Sequence, residues 1–281
     1  STIDPGAPGY PAEAYGMPSD MDPQAWKDAE AVKPERRVSL YPWGLWVVVG
    51  LVVALVLSYS TLVGYLEDFI PESEWAYENT GIRTLNDDGY SGHGVRVCIV
   101  DTGIDTSHPD LLNTNLVGFK DFIHDTQGNP HDNDKTHSHG TMMSGIIAAN
   151  GTFVGGAPDV LLIVAAALGS DGGSGSEVAV AEAIEWCWTE MAAEIISLSL
   201  GGKPDLVSTF GGETEVAVRA ALDNGVFVVA AAGNHGGAGQ DYPDVTIPAN
   251  VEGVISVGAI HRNSTLWQFS SAGSITNSSG E

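Results

Sequence analysis

The sequence predicts an α/β fold in which a mostly parallel β-sheet is covered by helices on both faces. Short, continuous apolar runs occur at residues 94–101, 160–168, 194–200, 225–233 and 253–260. Helix-like stretches lie between these runs, and such alternation is typical of a parallel sheet that is buried on both sides. In folds of this kind, functional groups gather at the carboxyl ends of the strands. The residues that end the apolar runs are therefore the first candidates for a functional site.

Three amphipathic helices are predicted, at residues 140–150, 176–191 and 214–225. Each connects two successive apolar runs, as the crossover between parallel strands requires. The last one ends in Asn224 and Gly225, a pair that favours termination of a helix before the next strand. This order of elements predicts helical layers above and below the sheet.

The chain is strongly acidic, with 36 Asp and Glu against 11 Lys and Arg among 281 residues, and its formal net charge is −25. Binding to phosphate needs a basic surface, so this balance excludes nucleic acid as an expected partner. A solvated acidic shell, as in proteins from salty environments, fits the composition. The length accommodates one sizeable domain with appendages, or two small domains.

An apolar segment near the start of the sequence predicts one transmembrane helix at residues 41–64. No charged residue occurs from Val38 to Leu66, which is long enough for a helix to cross a bilayer. A cleaved signal peptide and a buried core helix are the competing interpretations. A retained anchor is preferred because the preceding arm is long and no small-x-small cleavage site is evident.

The charges around this segment predict its orientation. Basic residues precede it within positions 33–37, and Glu67 and Asp68 follow it. Since Lys and Arg stay on the cytoplasmic side, we expect a cytoplasmic N-terminus and an extracytoplasmic remainder at the cell membrane. Residues 1–40 are expected to form a disordered cytoplasmic arm, and residues 65–90 a linker and the start of the next domain.

The two cysteines lie in different predicted elements. Cys98 belongs to an apolar run, and Cys187 lies between two tryptophans in a predicted helix. We expect two unpaired, buried thiols, although the sequence leaves a disulfide open. No Cys-x-x-Cys pair or Cys/His cluster indicates a metal site.

Three polar side chains stand at the ends of predicted strands or at the start of a helix. Asp101 ends the run "VCIVD", His139 opens the helix "HGTMMSGIIAA", and Asn234 follows "VVAAAG". A carboxylate can orient and charge an imidazole, the imidazole can take a proton from a nucleophile, and an amide can stabilise an oxyanion. Together the three residues indicate nucleophilic acyl transfer.

The chain from about residue 80 onward resembles the subtilisin-like serine proteases (peptidase S8 family). The motifs "VDTGIDTSHPDL", "HGTMMSGIIAA", "IISLSLGG" and "VVAAAGN" follow the order of that family's motifs. The resemblance implies a subtilisin-like three-layer fold over residues 91–281, incomplete at the C-terminus. It also implies a serine endopeptidase that hydrolyses peptide bonds of peptide or protein substrates by acyl-enzyme chemistry, and the separately predicted transmembrane helix would anchor this enzyme in the membrane.

The resemblance assigns roles residue by residue. Asp101 would orient the imidazole, His139 would be the general base, and Asn234 would donate a hydrogen bond to the oxyanion; His137 has no counterpart and is expected to be a loop residue. Backbone groups that would bind an extended substrate, and residues that would line the specificity pocket, form two further sets. These are Ser199, Leu200 and Gly201 for the backbone, and Ala231, Ala232 and Gly233 for the pocket wall.

One part of the family pattern is missing from the sequence. No Gly-Thr-Ser-x-Ala segment, which carries the nucleophile in the family, follows the Asn234 motif. We expect the sequence to be a fragment of a longer protease whose remaining part would cover an exposed apolar face. The alternative is a catalytically inactive, membrane-tethered peptide-binding module. Five serines near the end lie outside the nucleophile context: Ser270, Ser271, Ser274, Ser278 and Ser279.

No cofactor is expected to be required. Asp121, Asp125, Asp132 and Asp134 could coordinate a hard cation through oxygen. The preferred interpretation is a solvated acidic loop, so no metal is assigned and calcium is left open.

Overall fold

A computed structural model of the protein describes residues 43–67, 71–126, 128–169, 176–202, 212–236 and 244–273, with side chains omitted for 60–67. The chain divides into two compact units, Ser1–Phe69 and Ile70–Glu281. The described helices and strands are, in chain order, α1 (Trp43–Glu67), α2 (Glu74–Asn79), α3 (Ile82–Asp87), β1 (Arg96–Asp101), β2 (Leu116–Asp121), α4 (His139–Ala148), β3 (Leu161–Ala166), α5 (Glu177–Thr189), β4 (Ile195–Leu198), α6 (Glu213–Asp223), β5 (Phe227–Ala231) and β6 (Ile255–Val257).

The first unit contains the helix α1, which is 25 residues long. Most of the large apolar side chains in its described part are exposed, among them Leu51 and Leu55. Within the described ranges, no helix has both the length and the apolarity needed to cross a membrane. The predicted arm at residues 1–40 lies outside the description, as do parts of the span predicted at 41–64.

The second unit is built on a six-stranded sheet in the order β2-β3-β1-β4-β5-β6. Every pairing between these strands is parallel, which confirms the predicted α/β class. The edge strand β2 was not predicted. Its side chains are mostly only partly buried, and Gly118 and Lys120 interrupt the apolar pattern that identified the other strands.

The sheet separates two hydrophobic cores. Alternate residues of β1 point to opposite faces, so that Val97 and Ile99 pack on the side of α4, and Cys98 and Val100 on the side of α5 and α6. Helices on both faces make three layers, as the sequence predicts. The carboxyl ends of all six strands lie along one edge of the sheet, because the strands are parallel.

A disulfide joins Cys98 of β1 to Cys187 of α5, and both residues are fully buried. The expectation of two unpaired thiols is therefore wrong. Cys98 points from the sheet toward α5, which brings the two Cα atoms to 5.9 Å, a separation that a disulfide spans.

Removing this disulfide should destabilise the protein. The bond closes a loop across 89 positions of sequence, and it restricts the unfolded chain over that length. The double variant Cys98→Ala, Cys187→Ala is expected to lose about 2–5 kcal/mol of unfolding free energy, measured by chemical denaturation. Wild-type protein treated with reductant is the matched control. Equal midpoints for oxidised protein and the double variant would contradict the prediction.

Candidate active site

Asp101 ends the central strand β1 with its side chain fully buried. Its Oδ1 atom accepts a hydrogen bond from the backbone amide of Thr102 at 2.7 Å and one from the His139 ring at 2.7 Å. A buried carboxylate is costly unless it is paired in this way. The two residues that the sequence placed together are therefore in direct contact.

His139 is the first residue of α4, and its Nδ1 atom faces Asp101. Since a carboxylate accepts, Nδ1 carries the hydrogen in the neutral ring, and the lone pair is on Nε2. The hydrogen bond to Asp101 raises the pKa of His139, burial of the ring opposes this, and the negative charges of Asp101, Asp132 and Asp134 add to the increase. The side chain is 35% exposed, and its Nε2 atom takes no part in the bond to Asp101.

Close backbone contacts hold the start of α4 against the end of β1. The Thr102 hydroxyl accepts a hydrogen bond from the amide of Gly140 at 2.8 Å. A Cβ atom on Gly140 would collide with the carbonyl oxygen of Gly103, so this approach needs glycine. One Asp132 carboxylate oxygen accepts from the Thr141 amide at 2.9 Å and from its hydroxyl. Sequence reasoning gave Thr102 and Asp132 no such role, because a bond between loop and helix leaves no spacing pattern.

The acidic loop before α4 is less solvated than predicted. Asp121, Asp132 and Asp134 are buried, whereas Asp125 is exposed. Backbone amides compensate for much of this burial. The Asp134 carboxylate, for example, accepts hydrogen bonds from the amides of Thr136 and of the residue after it. The expectation of a solvated loop is therefore wrong for three of its four carboxylates.

Asn234 lies just beyond β5, at the same edge of the sheet as Asp101, and it is exposed. Gly233 before it has a φ of 112°, in the region that favours glycine. The Gly233 carbonyl accepts a hydrogen bond from the amide of Ser271 at 2.8 Å, which fixes the turn. An exposed amide at this edge is suitably placed to donate to a bound group.

These contacts assemble an acid and an imidazole in hydrogen-bond contact at the edge where Asn234 also lies. The subtilase family (peptidase S8) model matches residues 92–279. The chain belongs to the subtilase family. This membership agrees with the resemblance on which the site was predicted.

Two curated relatives illustrate the similarity of this subtilase to known proteins. It is 38% identical over 187 residues to the major intracellular serine protease of Bacillus subtilis (strain 168), covering 66% of this chain and 56% of the relative. It is 40% identical over 190 residues to subtilisin DY of Bacillus licheniformis, and the match covers 66% of this chain and 63% of that relative. The chain thus spans roughly three fifths of the length of these relatives.

A solved structure supports the fold. This subtilase is similar to the prenylagaramide maturation protease PagA with a TM-score of 0.56, 21% identity, and coverage of 70% of this chain and 64% of that one. At this identity the likeness concerns the fold alone.

The residues predicted to bind substrate lie at the ends of β4 and β5. Pairing of the two strands ends at Leu198 and Ala230, and Ser199, Leu200 and Gly201 follow directly. Ala231 pairs with β6, and the Ala232 amide donates to the carbonyl of Val257 at 2.9 Å. Their roles, like that of Gly233 in the pocket wall, remain predictions.

A cavity of about 210 Å³ lies between α4 and the strands β4, β5 and β6 of the subtilase sheet. Ile146 and Ile147 line it from the helix, and Val229 and Val257 from the sheet. On β6, Ile255 and Val257 are each about half exposed. The described residues therefore form an apolar cavity beside a strand whose large side chains are partly exposed.

Two of the five serines near the end of the sequence have structural contacts. Ser270 and Ser271 are both 3% exposed. The Ser270 hydroxyl accepts from the Ala259 amide, and the Ser271 hydroxyl from the His235 amide. Ser274, Ser278 and Ser279 lie outside the described residues.

Proposed function

We propose that this subtilase is a serine endopeptidase in which His139 is the general base. The observation that carries the proposal is the 2.7 Å hydrogen bond from Nδ1 of His139 to a buried carboxylate, which leaves Nε2 outside this bond on a partly exposed ring. A base oriented by a third group is what an activated nucleophile requires. We further propose that the nucleophile is a serine of a Gly-Thr-Ser-x-Ala segment that the 281 residues do not contain and that the protein made from the native gene supplies.

In this mechanism the serine Oγ attacks the carbonyl carbon of the scissile peptide bond while Nε2 of His139 takes its proton. Asp101 stabilises the resulting imidazolium, and the Asn234 amide donates to the oxyanion of the tetrahedral intermediate. His139 then protonates the leaving amine, and an acyl-enzyme remains. Water, activated by the same imidazole, releases the acid product and restores the serine.

The uncovered apolar face supports a further segment beside α4. Exposed apolar surface of this kind is unfavourable in water, at roughly 25 cal/mol per Å². The cavity lined by Ile147 and Val229 adjoins the helix that carries His139. We propose that the segment with the nucleophile packs on this face, which would bring its serine close to Nε2.

Peptide hydrolysis tests the proposed function. Protein expressed from the native gene should cleave a chromogenic peptide, and a fluorophosphonate should abolish the activity. Peptide binding without turnover would instead indicate the inactive peptide-binding module and would refute the endopeptidase.

The pH dependence of kcat/KM should report the ionisation of His139. The ring must be neutral to accept a proton, so activity is expected to rise as the pH passes above its pKa. The hydrogen bond and charge of Asp101 raise that pKa, so the rise should lie above the usual histidine value of about 6.5. A pH–rate profile measures this, and an acid limb at or below the usual histidine value of about 6.5 would contradict it.

We propose separately that the apolar segment at residues 41–64, which begins outside the described part of the chain, anchors the protein in the cell membrane, with a cytoplasmic N-terminus and an extracytoplasmic peptidase domain. The exposed apolar side chains of α1, the charge-free stretch from Val38 to Leu66, and the basic residues within 33–37 support the proposal. The buried disulfide between Cys98 and Cys187 adds support, since such bonds persist in oxidising compartments.

Cell fractionation tests the anchor. The protein should remain with membranes after an alkaline wash, and protease added to intact cells should degrade the domain while sparing an N-terminal tag. The variant Leu51→Lys, Leu55→Lys should leave the membrane fraction. Wild-type protein in the wash supernatant, or a protected domain, would refute the proposal.

A further inference from the structure

A second cluster of ionisable side chains lies outside the proposed active site. It consists of Asp121 at the end of β2 and of His124 and His131 in the loop that follows, and we call it the His–Asp cluster. The Asp121 Oδ2 atom lies 2.7 Å from Nδ1 of His124 and 3.1 Å from Nε2 of His131. The three residues each offer one ligand atom within 4.8 Å of the other two, so one ion could contact all three residues.

The hydrogen bonding of His131 leaves one contact unexplained. Its Nδ1 atom lies 3.0 Å from the carbonyl oxygen of Asn129, which can only accept. Nδ1 must therefore carry a hydrogen, and a neutral ring then directs the lone pair of Nε2 at the carboxylate oxygen of Asp121. A second proton on the ring, or a cation between the two atoms, would make this contact favourable. Donation of the other ring nitrogen to a carbonyl is also how metal-binding histidines are commonly oriented.

The surrounding residues hold the three groups in place. The Asp121 Oδ1 atom accepts from the amides of Ile123 and His124 at 2.8 and 3.1 Å, which leaves Oδ2 for the cluster. The His131 and Phe119 rings pack edge to face, with centroids 5.3 Å apart and an interplanar angle of 62°.

We propose that the His–Asp cluster binds Zn²⁺, or another divalent transition metal that prefers imidazole, through Asp121, His124 and His131. Two nitrogens and one carboxylate oxygen form a ligand set typical of zinc sites with an open fourth position. Calcium is disfavoured because it takes six to eight oxygen ligands. His124 is 63% exposed and His131 37% exposed, so solvent can fill the fourth position.

The bound metal would link the end of β2 to the loop that leads into α4. That loop contributes the Asp132 carboxylate, which holds the amide and hydroxyl of Thr141 in the helix. The role of the metal is therefore structural, and it is independent of the proposed peptidase activity.

Zinc binding by the purified full chain tests the proposal. Zn²⁺ affinity is measured by competition with a chromophoric chelator, and Co²⁺ is used as a spectroscopic substitute. We compare wild-type protein with His124→Ala, His131→Gln and the control His108→Ala, which removes an exposed histidine paired with a different carboxylate.

The wild type and the control should bind Zn²⁺ equally, whereas each cluster variant should bind at least about tenfold more weakly. The visible absorption of tetrahedral Co²⁺ should be lost in the cluster variants alone. Circular dichroism confirms that the exposed His124 variant is folded. Failure of the wild type to bind Zn²⁺, or equal binding by all four proteins, would overturn the proposal. Binding of Ca²⁺ without Zn²⁺ would overturn it as well.

Discussion

Replacing His139 with alanine is expected to reduce kcat by about 10⁶-fold in the active protein. The proposed mechanism needs a base at Nε2 both to activate the serine and to protonate the leaving amine, and alanine supplies neither. His139 is the imidazole that Asp101 orients, through the 2.7 Å bond to its Nδ1 atom. KM should change much less than kcat, because the ring accepts its proton during the reaction.

The measurement is peptide hydrolysis under saturating substrate for His139→Ala and for the control His137→Ala. His137 lies two residues earlier, is 74% exposed, and is 3.8 Å from the Asp134 carboxylate. The His137→Ala variant should retain nearly full activity, as expected for the replacement of a loop residue. Comparable losses in both variants would mean that the loop, rather than the base, limits activity.

Replacing Asp101 with asparagine is expected to reduce kcat by about 10⁴-fold. Asparagine has the same shape, but its amide can donate to Nδ1 of His139 and so favour the tautomer with a hydrogen on Nε2. The ring would then be unable to accept the serine proton. The imidazolium would also lose the adjacent negative charge.

A pH–rate profile separates this effect from a loss of structure. Because Asp101 is the main cause of the raised pKa of His139, the residual activity of Asp101→Asn should begin to rise at lower pH than in the wild type. Asp223→Asn, which alters an exposed carboxylate at the end of α6, is the matched control. An unchanged acid limb in Asp101→Asn would contradict the assigned orientation of the ring.

The sequence predicts most of the sheet and the central contact of the site for identifiable physical reasons. Strands buried on both faces need continuous apolar runs, so β1, β3, β4 and β5 are recognisable without the structure. Asp101 and His139 could be paired because the ends of parallel strands share one edge of the sheet, and because their motifs resemble those of a known family.

The features that escaped prediction depend on contacts that sequence spacing does not encode. The disulfide depends on the face of the sheet to which Cys98 points and on where α5 crosses it. The His–Asp cluster brings residues 121, 124 and 131 together through a loop without periodicity. Burial of Asp132 and Asp134 depends on backbone amides of the same loop, which a count of acidic residues cannot indicate.

The most direct test of the central claim is to locate the nucleophile that His139 activates. Protein expressed from the native gene is treated with a fluorophosphonate probe, and the labelled residue is mapped by mass spectrometry in the wild type and in His139→Ala. The account predicts one labelled serine in a Gly-Thr-Ser-x-Ala segment, with labelling greatly reduced in the variant. No labelled serine, or labelling that does not depend on His139, would contradict the account.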